Sequence, residues 1–387
     1  MWYRLHTFIV ALGCVLMALN LTGCHGSTLA QAQGRRASHV MVEKVTGGLR
    51  EPVALAFLSD TTILVAERAA GRIRWIEHGV LRNEPFASVP VPTVAGHREY
   101  GLLGLAADPD YPKKPFVYAF HTVGAGSRVT GQRIVRFTVR NGKGEDETTL
   151  VDKLPVGATC CDNGGRLLFG TDGKLYVTIG DTQRAPQAQN YEALAGKVLR
   201  FNRDGTIPAD NPCELTKTAT ASNPRNDTQQ VEGNKTPVYA LGFHNPFGMA
   251  LDARTGEIYL TDSGSGHHDE LDRLVAADNY GWPLVTGAAE DPHFRTPLWD
   301  SGAADVAPSG LASFSGSSLA GYRDNLFFAS AKDGKLRRAV LRGPDHIAEI
   351  TTVPAADGLA WLDVAMGRDD HLYFTSMDAV YRLRGEG

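Results

Sequence analysis

Six short apolar or aromatic runs recur along the chain, and this recurrence restricts the possible folds more than any other feature. The runs are Ile63–Ala66, Phe116–Ala119, Leu175–Thr178, Ile258–Thr261, Leu326–Ala329 and Leu372–Thr375. They begin about 46 to 83 residues apart, a spacing that suits four strands with their loops. Continuously apolar runs of this length are typical of strands packed on both faces between neighbouring sheets. We therefore expect an all-β fold, a six-bladed β-propeller of four-stranded blades. A large irregular sandwich is the alternative, but it gives no reason for the recurrence.

Composition agrees with this fold and narrows the function. The 387 residues include 42 glycines and 20 prolines, which favours many short strands joined by tight turns. The 39 basic residues against 43 acidic ones, a net charge of −4, leave no electrostatic footprint for a phosphate backbone. A nucleic-acid partner is therefore not expected.

The N-terminal segment has the pattern of an export signal. Arg4 precedes an apolar run from Phe8 to Leu21 that is too short and too poorly flanked for a spanning helix. The run ends in Leu21-Thr22-Gly23-Cys24, which resembles a bacterial lipobox. We expect a lipoprotein signal peptide over 1–23, a flexible tether over 24–40 and the propeller over 41–387. The protein would then work outside the cytoplasm, on the periplasmic or cell-surface side, held to the membrane only by lipid chains. A plain signal peptide with an accidental cysteine is the alternative.

The cysteines downstream of the signal allow more than one pairing. They are Cys160, Cys161 and Cys213. Because two adjacent cysteines close a strained ring, a bond from Cys213 to one of the other two is the more favoured disulfide. Their spacing matches no zinc site.

Propeller loops at one end of the central channel supply the chemistry, and the loops of this chain carry a series of motifs. They are Gly101-Leu102-Leu103-Gly104, Asn163-Gly164-Gly165-Arg166, Gly196-Lys197-Val198-Leu199-Arg200, Asn245-Pro246, Asp269-Glu270-Leu271 and Asn279-Tyr280-Gly281-Trp282-Pro283. In order and spacing they resemble the soluble glucose/sorbosone dehydrogenases across about residues 45–384. The resemblance implies an enzyme that uses pyrroloquinoline quinone (PQQ) to oxidise the C1 hydroxyl of an aldose to a lactone. It also implies a small sugar substrate and an external electron acceptor.

The resemblance points to Asp162 as the base. This aspartate stands directly before Asn163-Gly164-Gly165-Arg166, where the family has a histidine that removes the proton of the sugar hydroxyl. An exposed aspartate has a pKa of about 3.9, so burial must raise that pKa before Asp162 becomes an effective base. The alternative is a turn residue whose side chain bonds its own backbone.

The resemblance also implies a set of cofactor-binding residues, some of which depart from the family pattern. The set is Glu99, His244, Asn245 and Lys332. Glu99 replaces a glutamine and His244 replaces an arginine, whereas Lys332 keeps a cation where the family has one. Two further family arginines correspond to Ala360 and Leu362. This chain therefore has fewer arginines than the family pattern to make bidentate contacts with the carboxylates of PQQ.

A calcium site is implied at Glu270 and Tyr280. In related enzymes the ion takes the carboxylate of this glutamate and the backbone carbonyl of this tyrosine, and the family's separation is retained. Calcium binds several hard oxygen ligands in flexible geometry, which suits loops of this composition.

Two classes of function stay open at this point. The first is an extracytoplasmic PQQ-dependent sugar dehydrogenase with a modified site. The second is a non-catalytic propeller that binds carbohydrate or protein, because the resemblance extends to animal extracellular propellers that act as binding proteins. The charge of the residues at the channel mouth discriminates between the two classes.

Overall fold

The fold is a ring of antiparallel sheets, seen in a computed structural model that describes residues 40–94, 99–212, 214–215, 229–230, 236–288, 291–319 and 321–385. The predicted signal peptide, nearly all of the tether and Cys213 lie outside the described residues. The first strand begins at Val40, one residue before the predicted start of the propeller. Within the described ranges, no helix is long and apolar enough to span a bilayer.

Each blade is an antiparallel sheet whose strands follow one another from the channel outward. The first blade contains β2 (Pro52–Phe57), β3 (Thr62–Glu67), β4 (Arg72–Glu77), β5 (Val80–Leu81) and β6 (Ala87–Ser88). The short strands β5 and β6 pair with opposite ends of β4 and share the fourth, outer position. The second contains β7 (Leu102–Ala107), β8 (Phe116–Ala125), β9 (Arg128–Arg140) and β10 (Lys143–Leu154). The third contains β11 (Leu167–Phe169), β12 (Leu175–Ile179), β13 (Lys197–Phe201) and β16 (Val238–Leu241). Its last connection carries the short pair β14 (Glu214–Leu215) and β15 (Gln229–Gln230).

The other three blades repeat the order, and the last one is completed by the N-terminal strand. The fourth contains β17 (Asn245–Leu251), β18 (Ile258–Ser263), β19 (Glu270–Arg273) and β20 (Trp299–Asp300). The fifth contains β21 (Pro308–Phe314), β22 (Asn325–Ser330), β23 (Leu336–Leu341) and β24 (Ile347–Thr352). The sixth contains β25 (Val364–Met366), β26 (Leu372–Thr375), β27 (Val380–Gly385) and β1 (Val40–Thr46). Two 3-10 turns, Ala185–Gln189 and Pro354–Ala356, are the helical elements of the described chain. The predicted six-bladed, four-stranded propeller is confirmed.

All six recurring runs lie in the second strand of a blade. A second strand has a hydrogen-bonded neighbour on each side and a blade packed on each face, so every residue of β3, β12 and β22 is buried. In the turns before β12 and β22, one residue adopts the left-handed backbone region. Gly173 has φ 70° before β12, and Asp324 has φ 61° before β22.

The ring closes where β1 pairs with β27, so both ends of the described chain share one sheet. Val42 lies opposite Leu383, and Glu43 lies opposite Arg382. The Glu43 carboxylate accepts hydrogen bonds from Arg382 at 3.0 Å and from Arg384 at 2.9 Å. Closure packs the apolar face of the sixth blade against that of the first, and each blade keeps only a short outer edge.

Candidate functional site

A cavity of about 590 Å³ lies at the end of the channel where the innermost strands begin; we call it the axial cavity. In an antiparallel blade the second strand ends beside the start of the first, so both sets of residues reach this end. The lining residues are Glu51, Val53, Arg68, Glu99, Leu103, Asn245, Phe247, Ser263, Ala307, Pro308, Ser309, Ala331, Lys332, Trp361, Leu362 and Met377. A concave, mostly apolar wall with a few convergent polar groups is the usual form of a small-molecule site.

A buried ion pair crosses the channel beneath the cavity. Arg166, directly before β11, contacts Asp363, directly before β25, with Nη2 2.8 Å from Oδ1. The guanidinium also donates to the backbone carbonyl of Phe247, and Asp363 accepts the backbone N–H of Leu55 at 2.8 Å. The two side chains are 7% and 2% exposed. This pair therefore connects the inner strands of four blades.

Glu99 and Asn245 form a polar network on the cavity wall. The Asn245 amide donates to the Glu99 carboxylate at 3.2 Å, and its oxygen accepts the backbone N–H of Gly164 at 3.1 Å. The Asn163 backbone N–H also donates to Glu99 at 3.1 Å. Burial, with a smaller contribution from the nearby Asp162, raises the pKa of Glu99 to about 7 against the lowering effect of these hydrogen bonds. Glu99 therefore changes charge near neutral pH.

Asp162 and His244 face each other next to the axial cavity and are called the rim pair below; neither is in the cavity lining, but Asn245, which follows His244, is. His244 Nε2 is 3.9 Å from Asp162 Oδ1, and both groups lie within 4.8 Å of an oxygen of Asp181. Asp162 has φ 60°, and burial raises the pKa of its carboxyl group. Its carboxylate thus faces an imidazole, which differs from the self-bonded turn residue of the alternative interpretation.

The cations of the axial cavity each contact a carboxylate. Arg68 Nη2 lies 2.8 Å from Glu51, and Lys332 Nζ lies 2.8 Å from Asp305. Leu362 lines the wall as an apolar residue, whereas Ala360 is fully buried and lies outside it. The cavity therefore presents two positive groups whose charge is already partly balanced.

Glu270 and Tyr280 line a second, small cavity of about 10 Å³, together with His244, Asp262 and Trp282. Burial, together with the neighbouring Asp272, raises the pKa of Glu270 well above its ordinary value. Asp272 is 1% exposed, and among the described residues neither of its carboxylate oxygens has a hydrogen-bond partner. The carboxylates of Asp262, Glu270 and Asp272 are buried together, and their negative charge must be balanced by a bound cation or by protons. This set of oxygen ligands therefore fits calcium.

The disulfide expectation is wrong. The structure joins Cys160 to Cys161, while Cys213 lies outside the described residues. The reason is local: the two α-carbons are 3.7 Å apart, so the bond needs no second segment to fold back. Gln183 contacts this loop, since its side-chain oxygen accepts the Cys160 backbone N–H.

The structure places the predicted site residues around two cavities. Glu99, Asn245 and Lys332 line the axial cavity. His244, Glu270 and Tyr280 line the small cavity, and Asp162 faces His244 in the rim pair. Sequence reasoning missed Arg68 and Trp361 in the wall. Arg68 directly follows the first recurring strand, and this position is the sequence feature that could have indicated its place in the wall.

Comparison with known proteins identifies a family. The profile of the Glucose / Sorbosone dehydrogenase family matches residues 49–383. The aldose sugar dehydrogenase YliI of Escherichia coli is 26% identical over 362 residues, which cover 89% of this chain and 92% of that protein. An oxidoreductase (glucose dehydrogenase) of Thermus thermophilus is 33% identical, with a TM-score of 0.75, covering 89% of this chain and all of that one.

A solved structure also includes the quinone. The PQQ-bound aldose sugar dehydrogenase of Streptomyces coelicolor is 26% identical, with a TM-score of 0.74, and the match covers 90% of this chain and 99% of that one. The family profile spans all six innermost strands and the axial cavity at their start. This chain therefore belongs to the glucose/sorbosone dehydrogenase family.

Proposed function

We propose that the protein oxidises the C1 hydroxyl of an aldose to a lactone, with PQQ held in the axial cavity. The observation that carries the proposal is the cavity itself, about 590 Å³ in volume, with the rim pair next to it. Cavities of this size suit a small planar cofactor together with part of a substrate. When bound, PQQ supplies the quinone that accepts the hydride from the sugar, and an external acceptor then removes the electrons.

The lining residues fit a planar polycarboxylate in shape and partly in charge. Trp361, Leu362 and Phe247 offer apolar surface against which a flat ring can pack. Arg68 and Lys332 offer positive charge, and the Asn245 amide offers a hydrogen-bond donor. Protonated Glu99 adds no negative charge below pH 7. Since Glu51 and Asp305 already share the two cations, we expect weaker binding than two guanidinium forks would provide.

The rim pair receives the proton of the sugar hydroxyl. Asp162 and His244 face each other at 3.9 Å, and His244 is adjacent to Asn245 and hydrogen-bonded to Ser263, which both line the cavity. A positioned proton acceptor contributes on the order of 10²- to 10⁴-fold to such a reaction. Calcium bound by Glu270 and the carbonyl of Tyr280 would neutralise the buried carboxylates of the fourth blade and hold the loop that carries Trp282.

A titration with PQQ tests this function directly. Purified protein is mixed with PQQ and calcium, the quinone absorbance is followed, and aldoses are then added with a redox dye. We expect saturable binding at micromolar PQQ and sugar-dependent reduction of the dye. Lys332→Gln should weaken binding, whereas Lys335→Gln should not, because Lys335 lies outside the cavity lining. No spectral change at millimolar PQQ would contradict the proposal.

A non-catalytic propeller is the second candidate, and one observation favours it. Leu362 stands in the cavity wall where a family arginine is expected, and both cavity cations already have carboxylate partners. Such a wall would accept a neutral sugar more readily than a trianion. Calorimetry with aldoses in the absence of PQQ discriminates between the two. Sugar binding without any PQQ binding would favour this candidate.

We also propose that the protein is an extracytoplasmic lipoprotein anchored through Cys24. The support is the sequence pattern of residues 1–24 alone, which lies outside the described residues.

A further inference from the structure

His244 is held in one tautomer by the backbone. Its Nδ1 lies within hydrogen-bond distance of the Ser263 carbonyl oxygen at the end of β18. A carbonyl oxygen only accepts, so Nδ1 carries the hydrogen and donates it. The other ring nitrogen, Nε2, then has a free lone pair. This is how an oriented histidine is prepared to accept a proton.

The ring is also fixed in place. The imidazole packs edge-on against Trp282, with the ring centres 4.5 Å apart. The Trp282 indole N–H donates to Asp181 at 2.8 Å, so it does not compete for the lone pair of Nε2. The backbone N–H of His244 donates to Asp262 at 2.9 Å. These contacts therefore fix the orientation of the ring and leave the lone pair of Nε2 available.

The charged groups around the ring favour its protonated form. Asp262 of β18, Asp162 before β11 and Asp181 after β12 face His244 from the elements packed against it. Burial alone would lower the pKa of His244, but these carboxylates and the Ser263 carbonyl raise it above its ordinary value. Asp162 Oδ1, at 3.9 Å from Nε2, is beyond direct hydrogen-bond reach. It stabilises an imidazolium by charge and leaves the lone pair open.

We propose that His244 is the proton acceptor of the sugar oxidation and that Asp162 is a positioning residue that stabilises the resulting imidazolium; this rests on the proposed function above. His244 is 12% exposed, and its neighbours Asn245 and Ser263 line the axial cavity. The hydroxyl O–H bond breaks and its proton passes to Nε2. The C–H bond of the same carbon breaks as well, and PQQ, when bound in the axial cavity, would accept its hydride with both electrons. The electron pair of the broken O–H bond forms the carbonyl π bond of the product.

Substitution at both positions separates the two roles. With PQQ affinity measured by absorbance, His244→Gln should lower kcat on the order of 10²-fold or more while PQQ affinity stays within a few-fold. Asp162→Asn should lower kcat by a smaller factor, about tenfold. Added imidazole should restore turnover to His244→Ala. His267→Gln, an exposed histidine in the same blade, is the matched control and should behave as wild type.

The opposite ranking would overturn the assignment. If His244→Gln retains kcat while Asp162→Asn abolishes it, Asp162 is the base. The ¹⁵N spectrum of the ring gives an answer that needs no PQQ: at a pH above the pKa of His244, Nδ1 should be protonated and Nε2 bare. A ring protonated at Nε2 in the neutral form would overturn the proposal even in active enzyme. Wild-type protein that neither binds PQQ nor oxidises sugars would instead remove the proposed function, and the tautomer would still report on His244.

Discussion

At the scale of single residues, Glu99 couples the charge of the axial cavity to pH. Its pKa is about 7 because of burial, so it is neutral below pH 7 and negative above it. A polyanionic ligand binds better beside the neutral form, and the Kd for PQQ should rise by up to tenfold per pH unit above pH 7. Glu99→Gln should bind more tightly at pH 8 and lose this part of the pH dependence. Absorbance titrations at pH 6 and 8 measure both effects.

The control for this prediction is Glu84→Gln, which removes an exposed carboxylate outside the cavity and should keep the wild-type pH dependence. The same pH dependence in wild type and Glu99→Gln would show that another group is responsible.

Asp272 supports a second prediction at this scale, concerning calcium. An ion bound only by the folded protein stabilises it by about 2.7 kcal/mol at a free concentration 100 times its Kd. Calcium should therefore raise the melting temperature, and Glu270→Gln should reduce that increase. Asp272→Asn should raise the melting temperature in chelator, because one buried charge without a hydrogen-bond partner among the described residues is removed. Glu349→Gln, an exposed substitution, should leave both curves unchanged. Identical melting of wild type with calcium and with chelator would contradict the site.

At the scale of secondary structure, β1 is the element that closes the ring, and its two faces should respond differently. Val42 packs on the apolar core of the sixth blade, whereas Met41 is 48% exposed. Val42→Asp places a charge against that core and loses apolar burial, so it should lower the free energy of unfolding by about 3 kcal/mol. Met41→Asp should change it by less than about 0.5 kcal/mol. Urea denaturation compares the two, and equal losses would mean that β1 does not pack in this register.

At the scale of the whole molecule, the Arg166–Asp363 pair holds the innermost strands together across the channel. Removing one partner leaves a buried charge uncompensated, so Arg166→Met should cost about 3–5 kcal/mol. The double variant Arg166→Met with Asp363→Leu should recover much of that loss. Arg140→Met, which breaks an exposed pair with Asp146, should cost less than about 1 kcal/mol. Denaturation midpoints provide the comparison. A double variant no more stable than the single one would show that the pair does more than neutralise charge.

Anchoring is also a property of the whole molecule. Cys24→Ser should release the protein from membranes or block its maturation, because acylation needs the thiol. Fractionation and intact mass measure this. A Ser variant that stays membrane-bound with an unchanged processed mass would exclude a lipid anchor at this position.

Local sequence patterns are enough to predict the recurring strands and their turns. Each second strand is a continuous apolar run because both of its faces are buried, and a residue such as Gly173 or Asp324 reverses the chain before it. Six such units in one chain indicate the propeller, and the motif order indicates the family. The resemblance to the family, and not this local pattern, placed Glu270 and Tyr280 at one site, and both line the small cavity.

The contacts between the candidate catalytic and binding residues depend on the tertiary structure. Asp162 and His244 lie 3.9 Å apart although they precede the innermost strands of different blades, and Arg166 reaches Asp363 across the channel. Arg68, which directly follows the second strand of the first blade, lies in the cavity wall. A strand pattern specifies which faces are buried, but not which loops meet once six blades close into a ring. Ring closure and loop conformation set those distances. They bring His244, predicted to contact the cofactor, opposite Asp162, predicted to be the base.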